Sequence, residues 1–86
     1  MAVESTGVTV STSITAVSGP FISSKVVYLQ SGTAGAATYV GGSDVSAANG
    51  ILLSETNNAV FQTNADDTLY CISDTVGAVV KVVEVK

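Results

Sequence analysis

The sequence predicts an all-β fold, a small antiparallel β-sandwich or barrel of about seven strands that is expected to be oligomeric. Val, Ile and Thr, the β-branched residues favoured in strands, make up 29 of the 86 residues. No segment shows a sustained helical spacing of apolar residues. Short apolar or alternating segments recur instead at regular intervals, with Gly, Ser, Asn and Asp between them, which is typical of sandwiches and barrels.

The first candidate strand is GVTVSTSITAV, residues 7–17. Val8 and Val10 share one face of this strand, and after a shift in phase Ile14 and Ala16 continue the same face. The strand is predicted to end at the Gly-Pro dipeptide that follows, because a central strand does not tolerate proline.

The next two candidate strands are SKVVYLQS, residues 24–31, and AATYVGG, residues 36–42. Alternation divides the first of them into two faces, one with Val26, Tyr28 and Gln30 and the other with Lys25, Val27 and Leu29. The second is short, and its Gly-Gly pair predicts a corner where the strand closes.

Four further candidate strands complete the chain: ILLS at 51–54, NAVFQTN at 58–64, DTLYCIS at 67–73 and GAVVKVVEV at 77–85. No stretch between them is long and helical enough for a crossover connection. A parallel sheet is therefore not expected.

The last of these strands is apolar on both faces. Val80 and Val82 line one side, while Val79, Val83 and Val85 line the other. A sheet with one face in water alternates between apolar and polar residues, so the second face is expected to be covered. A second sheet covers one face and a neighbouring subunit is the simplest cover for the other. Val79, Val83 and Val85 are thus the candidate oligomer interface.

The size of the chain favours oligomerisation as well. Residues 1–86 form one small domain, with residues 1–5 left as a candidate flexible lead-in. Domains of this size usually need a disulfide, a metal or oligomerisation for stability. Cys71 is the only cysteine and there is no histidine, so neither a disulfide within the chain nor a zinc site is expected. Cys71 itself lies in an apolar alternating run, which favours a buried, inert thiol over a nucleophile.

Charge restricts the partners of the protein. Charged residues make up 12% of the chain, the net charge is −4, and Lys25, Lys81 and Lys86 are its only cations. Binding to nucleic acid or to an anionic membrane surface requires clustered Lys or Arg, so neither partner is expected. No apolar run approaches a membrane span, and Glu4 lies where a signal peptide would be basic. We therefore expect a soluble protein with an unusually uncharged surface, as in surfaces that contact other protein.

The sequence predicts no catalytic, cofactor or metal site. Asn64, Asp66 and Asp67 carry oxygens that could hold a hard cation, but a solvated turn is the preferred interpretation, because adjacent carboxylates on an extended chain point in opposite directions. Without histidine there is no ordinary general base for any of the serines. We therefore expect that the protein is not an enzyme.

The segment YVGGSDVSAANGILL, residues 39–53, raises the question of a binding loop. A phosphate-binding loop needs a Lys and a following helix, and neither is present. Glycine allows tight backbone turns, Asp and Ser bond to their own backbone, and Asn-Gly is a strong hairpin signal. The residues predicted to serve as structural turns are Gly41, Gly42, Asp44, Asn49 and Gly50.

Three stretches together carry a resemblance to a known group of proteins. YVGGSDVSAANGILLS, then DDTLYCISD, then the Val-rich strand AVVKVVEV, resemble a pattern in small structural proteins of tailed-bacteriophage virions. The resemblance spans residues 26–85, although Ile51 to Ser54 lack the Pro that precedes Leu in that pattern. It implies a β-sandwich or barrel that forms trimers and decorates the outside of the head, with no catalytic residues.

The leading hypothesis is therefore a capsid decoration, or cement, protein that binds the outer surface of the head and stabilises contacts between capsomers. Its expected partners are itself, as a homotrimer, and the major capsid protein, with Val79, Val83 and Val85 as the candidate oligomer or capsid interface. Its expected location is the capsid exterior after assembly in the host cytoplasm. The alternative is a virion- or tail-associated module for host recognition or glycan binding. A monomeric accessory domain of an enzyme would need a polar sheet face in water, which the pattern does not provide.

Overall fold

Two antiparallel four-stranded sheets make up the protein. The computed structural model describes residues 3–21, 25–56 and 59–85, and these ranges contain no helix. The strands are β1 Val3–Val10, β2 Thr15–Ser18, β3 Lys25–Ser31, β4 Thr38–Gly41, β5 Ile51–Leu52, β6 Ala59–Thr63, β7 Leu69–Ser73 and β8 Ala78–Val85. The predicted all-β antiparallel fold is confirmed, with eight strands in place of about seven. Its oligomeric state stays a prediction.

The chain passes repeatedly from one sheet to the other. Sheet A has the strand order β1-β8-β3-β6, and sheet B has the order β2-β7-β4-β5. The pair β4 and β5 joins strands that are consecutive in the chain, whereas β1 and β8 join its two ends over the whole of Val3–Val10. Every strand of sheet A therefore pairs with strands that are distant in sequence.

The predicted strand over residues 7–17 is in fact two strands in different sheets. β1 ends at Val10 and β2 begins at Thr15, and the backbone oxygen of Ser11 between them accepts a hydrogen bond of 2.9 Å from Ser73 N–H. The expectation that Ile14 and Ala16 continue the face of Val8 and Val10 is wrong. Both are exposed, and the buried residues of β2 are Val17 and Ser18, because the crossing to sheet B resets the alternation.

Some of the predicted segments extend beyond the described residues. Ser24 and Asn58, at the starts of two candidate strands, lie outside them, as do Met1 and Ala2 of the expected lead-in. The rest of that lead-in, 3–5, belongs to β1, whose Val3 is paired with Val85.

The core lies between the two sheets. Sheet A contributes alternate residues of its two central strands, and sheet B contributes one face of β4 and β7. The buried apolar residues in these four strands are Val27, Leu29, Val40, Cys71, Ala78, Val80 and Val82. Because β3 alternates strictly, the predicted grouping of its residues into two faces is correct, and the structure places Val27 and Leu29 inward.

Polar groups enter the core only with hydrogen-bond partners. The hydroxyls of Thr38 and Ser73 are 3.2 Å apart, and Ser73 Oγ also donates to the backbone oxygen of Ala37 at 3.3 Å. Within the described residues no buried side-chain nitrogen or oxygen lacks a partner. Since an unpaired buried polar group is costly, these bonds allow small hydroxyl residues to occupy core positions.

One end of the sandwich is closed by a polar cluster that joins the two sheets. Glu84 of sheet A accepts a hydrogen bond of 2.7 Å from the hydroxyl of Ser18 in sheet B. Its other carboxylate oxygen lies 3.4 Å from Lys25 Nζ, which in turn lies 5.6 Å from the centre of the Phe21 ring. Both charged side chains are largely shielded from water, so a charge-assisted bond here ties the edge of sheet B to β8.

Truncation of Leu29 tests the assignment of the core. Leu29 is 0% exposed in the centre of sheet A, whereas Leu52 at the edge of sheet B is 58% exposed. Leu29→Ala should lower the free energy of unfolding by about 2 to 5 kcal/mol, because it leaves a cavity. Leu52→Ala, the matched control, should change it by less than about 1 kcal/mol. Urea denaturation of both variants measures the difference, and equal effects would contradict this core.

Candidate interaction surface

The three predicted interface valines share the outer face of sheet A, the face that points away from sheet B. Val79, Val83 and Val85 alternate along β8 with the buried Val80 and Val82. Each of the three is half-buried by its neighbours on the same face. The structure therefore places them together on one side of the strand, as the alternation in the sequence requires.

Two of these valines belong to a continuous apolar patch. Val83 is opposite Tyr28, which is itself opposite Val60 on the edge strand β6. Val85 is opposite Val26 in the next row. We call Val26, Tyr28, Val60, Val83 and Val85 the sheet A patch. Val60 is 56% exposed, so the patch is open to solvent at its β6 side.

The third valine, Val79, lies apart from the sheet A patch. It is paired with Thr9 near the other end of β8, and Lys81 stands between it and Val83. Lys81 is the one charged side chain among the described residues on this face, where it is exposed next to Gln30. The outer face of sheet A is thus apolar at one end and mixed at the other.

One shallow groove crosses this face, and a second lies at its end, where Lys25 and Thr63 of the inner face border the outer Val26 and Val85. One, of about 350 Å³, is lined by Tyr28, Gln30, Lys81 and Val83 and lies between the apolar and mixed ends. The other, of about 340 Å³, is lined by Lys25, Val26, Gln62, Thr63, Asn64 and Val85. Both are open recesses on the surface of the molecule.

The outer face of sheet B is apolar as well. Tyr39 is flanked there by Ile72 of β7 and by Leu52 of β5, which is 58% exposed. Tyr70 lies on the same face opposite Gly41. All three tyrosines of the chain therefore lie on outer faces and none lies in the core, an arrangement in which the aromatic rings are available for contact.

Sequence reasoning identified the valines of β8 but not their partners on this face. The alternation of β3 had already grouped Val26 with Tyr28, yet it did not reveal whether that group faced inward. Val60 was missed because β6 carries apolar residues on both faces, so its pattern alone does not identify the exposed one. Strand pairing was the information that the sequence lacked.

The predicted turn residues lie in or beside one ordered loop. Gly41 ends β4, and Gly42, Asp44, Asn49 and Gly50 belong to the connection 42–50 that leads to β5. The side chain of Asn49 holds this loop together: Oδ1 accepts from Ser46 N–H at 2.7 Å, and Nδ2 donates to the backbone oxygen of Asp44 at 3.2 Å. The loop is stabilised by its own hydrogen bonds.

The loop differs from a tight Asn-Gly hairpin. The strands pair as Tyr39 with Leu52, so the whole connection 42–50 separates them. Gly41, Gly42 and Gly50 do not adopt positive φ, in contrast to Gly19, Gly35 and Gly77. Gly50 is required for space: a Cβ there would lie 2.7 Å from Cβ of Tyr39 and 2.8 Å from Cγ2 of the buried Val45.

The acidic residues considered for a cation form a turn. Asp67 Oδ2 accepts from Asn64 N–H at 2.8 Å, and Asp66 has a positive φ of 71°. Asp66 N–H donates to the backbone oxygen of Phe21 at 2.8 Å, and Phe21 N–H donates to the backbone oxygen of Asp67 at 3.1 Å. Across the described residues no three or more His, Cys, Asp or Glu side chains are grouped to hold a metal ion.

Cys71 is enclosed by the core of the sandwich. It is 0% exposed, and burial raises the pKa of its thiol to about 12 from 9.0, because the thiolate loses its hydration there. A thiol with such a pKa stays protonated near neutral pH and is a poor nucleophile.

Comparisons with family models, with curated proteins and with solved structures gave no match to this chain. In the part of the chain that the structure describes, no helix is long and apolar enough to cross a membrane.

Substitution of Gly50 tests whether the loop depends on close packing. Gly50→Ala should lower the free energy of unfolding by about 1 to 3 kcal/mol, because the new methyl group overlaps Tyr39 and Val45. Gly42→Ala is the matched control, since its Cβ would meet only Asp44 Oδ1 at 3.4 Å. We expect a change within about 0.5 kcal/mol for the control. Chemical denaturation measures both, and a harmless Gly50→Ala would refute the packing argument.

Burial of Cys71 predicts a loss of stability in alkaline solution. Above pH 9 the unfolded chain loses the thiol proton, while the folded chain keeps it until about pH 12. The unfolded state then binds fewer protons, so the free energy of unfolding falls with rising pH across that window, by at most about 1.4 kcal/mol per unit. Wild type and Cys71→Ala are compared by urea denaturation at pH 8 and pH 10. The wild type should lose more stability, and parallel losses would show that Cys71 is not responsible.

Proposed function

We propose that this protein is a capsid decoration protein of a tailed bacteriophage, which binds the outer surface of the head and holds neighbouring capsomers together. The observation that carries the proposal is the apolar, almost uncharged outer face of sheet A. Only Lys81 is charged among its described residues, and the sheet A patch spans β8, β3 and β6. A surface of this kind favours a structural role in contact with other protein.

The resemblance of the sequence to virion structural proteins gives this role its particular form. The segments that carry it include the loop 42–50, strand β7 and strand β8, so they contribute to both sheets. In the proposal the protein self-associates, for which the resemblance implies a trimer, and its other partner is the major capsid protein. Its location is the capsid exterior, reached after assembly in the host cytoplasm.

The edge of sheet A supplies a means of attachment. β1 pairs with β8 on one side over Val3–Val10 without a shift in register, and none of the described strands pairs with its other side. An extended segment of the shell protein would add to this edge by main-chain hydrogen bonds. Each such contact is modest, but linked copies engage neighbouring sites at high effective concentration. Binding of this kind resists separation of adjacent capsomers.

A second function is favoured by one observation on sheet B. Tyr39 and Tyr70 lie on the same outer face, on neighbouring strands, with Gly41 opposite Tyr70. Aromatic side chains grouped on a sheet face suit the stacking of sugar rings. A host-recognition or glycan-binding module of the virion or tail is therefore the alternative proposal.

Thermal release of DNA from particles distinguishes the two functions. Heads are prepared from phage that carry the gene for this chain and from phage that lack it. The release of DNA during heating is followed by the fluorescence of a DNA-binding dye. Heads that lack the protein should release DNA at a lower temperature, because capsomer contacts are then weaker. Purified protein added back should restore the original temperature.

The controls concern stability and infection separately. Bovine serum albumin in place of the purified protein should restore nothing. Equal release temperatures would contradict the cementing role. If such particles also failed to adsorb to cells, the result would support the recognition module instead.

A further inference from the structure

We infer that Asn49 is a latent deamidation site, which the hydrogen bonds of the loop 42–50 keep unreactive, and that its conversion to an acid opens that loop. The reaction is spontaneous and needs only water. It is independent of the proposed function, since it concerns the loop itself and not a surface that contacts another protein.

The reactive unit is the dipeptide Asn49-Gly50. Asparagine is chemically labile, because the backbone nitrogen of the next residue can attack its side-chain Cγ. Glycine hinders this attack least, since it has no side chain. Asn49 is the only one of the four asparagines in the sequence that precedes glycine. Asn64, the other asparagine that the structure describes, precedes Ala65, whose methyl group hinders the same attack.

The covalent step exchanges one bond of the Asn49 side chain for another. Gly50 N forms a bond to Asn49 Cγ and loses its proton, while the bond from Cγ to Nδ2 breaks and Nδ2 leaves as ammonia. The product is a cyclic imide. Water then opens the imide at either carbonyl carbon, which gives aspartate or isoaspartate. In both products a carboxylate replaces a neutral amide.

The folded loop holds the reacting groups in hydrogen bonds that oppose this step. Gly50 N–H donates to the backbone oxygen of Ser46 at 2.8 Å, which withholds its proton from base. Asn49 Oδ1 accepts from Ser46 N–H at 2.7 Å, and Nδ2 donates to the backbone oxygen of Asp44 at 3.2 Å. Attack requires the side chain to turn towards Gly50 N and the Gly50 proton to be released, so these bonds must break first. The reaction therefore proceeds from copies in which the loop has opened.

The loop requires both members of the labile dipeptide. Gly50 is needed for space, because a Cβ there would lie 2.7 Å from Cβ of Tyr39 and 2.8 Å from Cγ2 of Val45. Asn49 is needed because an amide both accepts and donates, whereas a carboxylate only accepts. Asn49 is also exposed, so water reaches it once the loop opens. The closed loop and its lability thus come from the same two residues.

Conversion removes the donor that closes the loop. A carboxylate at position 49 can still accept from Ser46 N–H, but it offers no proton to the backbone oxygen of Asp44. Two oxygens would then face each other where Nδ2 donates at 3.2 Å. The loop also gains a second negative charge beside that of Asp44. Opening exposes Val45, the buried apolar residue of the loop.

Incubation of the purified protein at pH 8 tests the site. Mass spectrometry of proteolytic peptides locates the mass gain of deamidation and separates aspartate from isoaspartate. The folded wild type should react at Asn49 at least about tenfold more slowly than the same protein unfolded in urea, because only opened copies react. In urea Asn49 should react faster than Asn64. Equal folded and unfolded rates at Asn49, or an unreacted Asn49 in urea, would overturn the inference.

Two matched truncations distinguish opening of the loop from unfolding of the whole protein. Val45→Ala removes packing from the loop and should accelerate the reaction of folded protein at Asn49 by about fivefold or more. Val27→Ala removes the same atoms from the core of sheet A, where Val27 is 0% exposed. It should leave the folded rate within about twofold, because opening of the loop does not involve that site. Circular dichroism shows that both variants are folded, and equal acceleration would contradict control by the loop.

Asn49→Asp reproduces the aspartate product and tests its effect on the loop. Amide hydrogen exchange at Ser46 and Gly50 should be at least about tenfold faster in this variant than in the wild type, because the loop opens more often. Asn64→Asp is the matched control, since it adds the same charge outside the loop, and it should leave both amides unchanged. Unchanged exchange in Asn49→Asp, or equal effects of the two variants, would refute the opening. None of these measurements involves phage heads, so their outcome is separate from that of the proposed function.

Discussion

The pairing of β8 with both β1 and β3 is the interaction on which the rest of the structure depends. β8 is the last strand in the chain and a central strand of sheet A, so the sheet is complete only when both ends of the chain have come together. Its inward side supplies Val80 and Val82 to the core, and Glu84 at its end binds Ser18 of the other sheet. Sheet A, the core and the link between sheets therefore share one strand.

The same strand explains why the outer face of sheet A is apolar. A sandwich of two sheets covers one face of each, and the opposite side of every strand remains outside. In β8 that side carries Val83 and Val85, which meet Tyr28 and Val26 of β3. The valines of β8 are therefore divided between its two sides. Those on the outer side pack only against neighbouring side chains of the same face.

The sequence predicted the class of fold and most strands, because alternation and turn residues act locally. The two faces of β3 were assigned correctly, since its inward residues alternate without interruption. The break between β1 and β2 was missed because no Gly or Pro marks it. Its position is fixed in part by the hydrogen bond from Ser73 N–H to the backbone oxygen of Ser11, two residues that are distant in sequence. Val60 was missed for a related reason. Which side of β6 is exposed depends on its pairing with β3, and pairing is a property of the whole fold.

The two sheets differ in how their edges are protected. The edges of sheet B are a two-residue strand, β5, and a short strand with a shifted register, β2, both of which discourage further pairing. Sheet A ends in β1, which is long and regular and contains neither Lys nor Pro. Its face is apolar and its edge is free, so it suits two different contacts at once. Strand pairing at the edge of β1 and packing against the sheet A patch would not exclude each other, because the first acts in the plane of the sheet and the second above it.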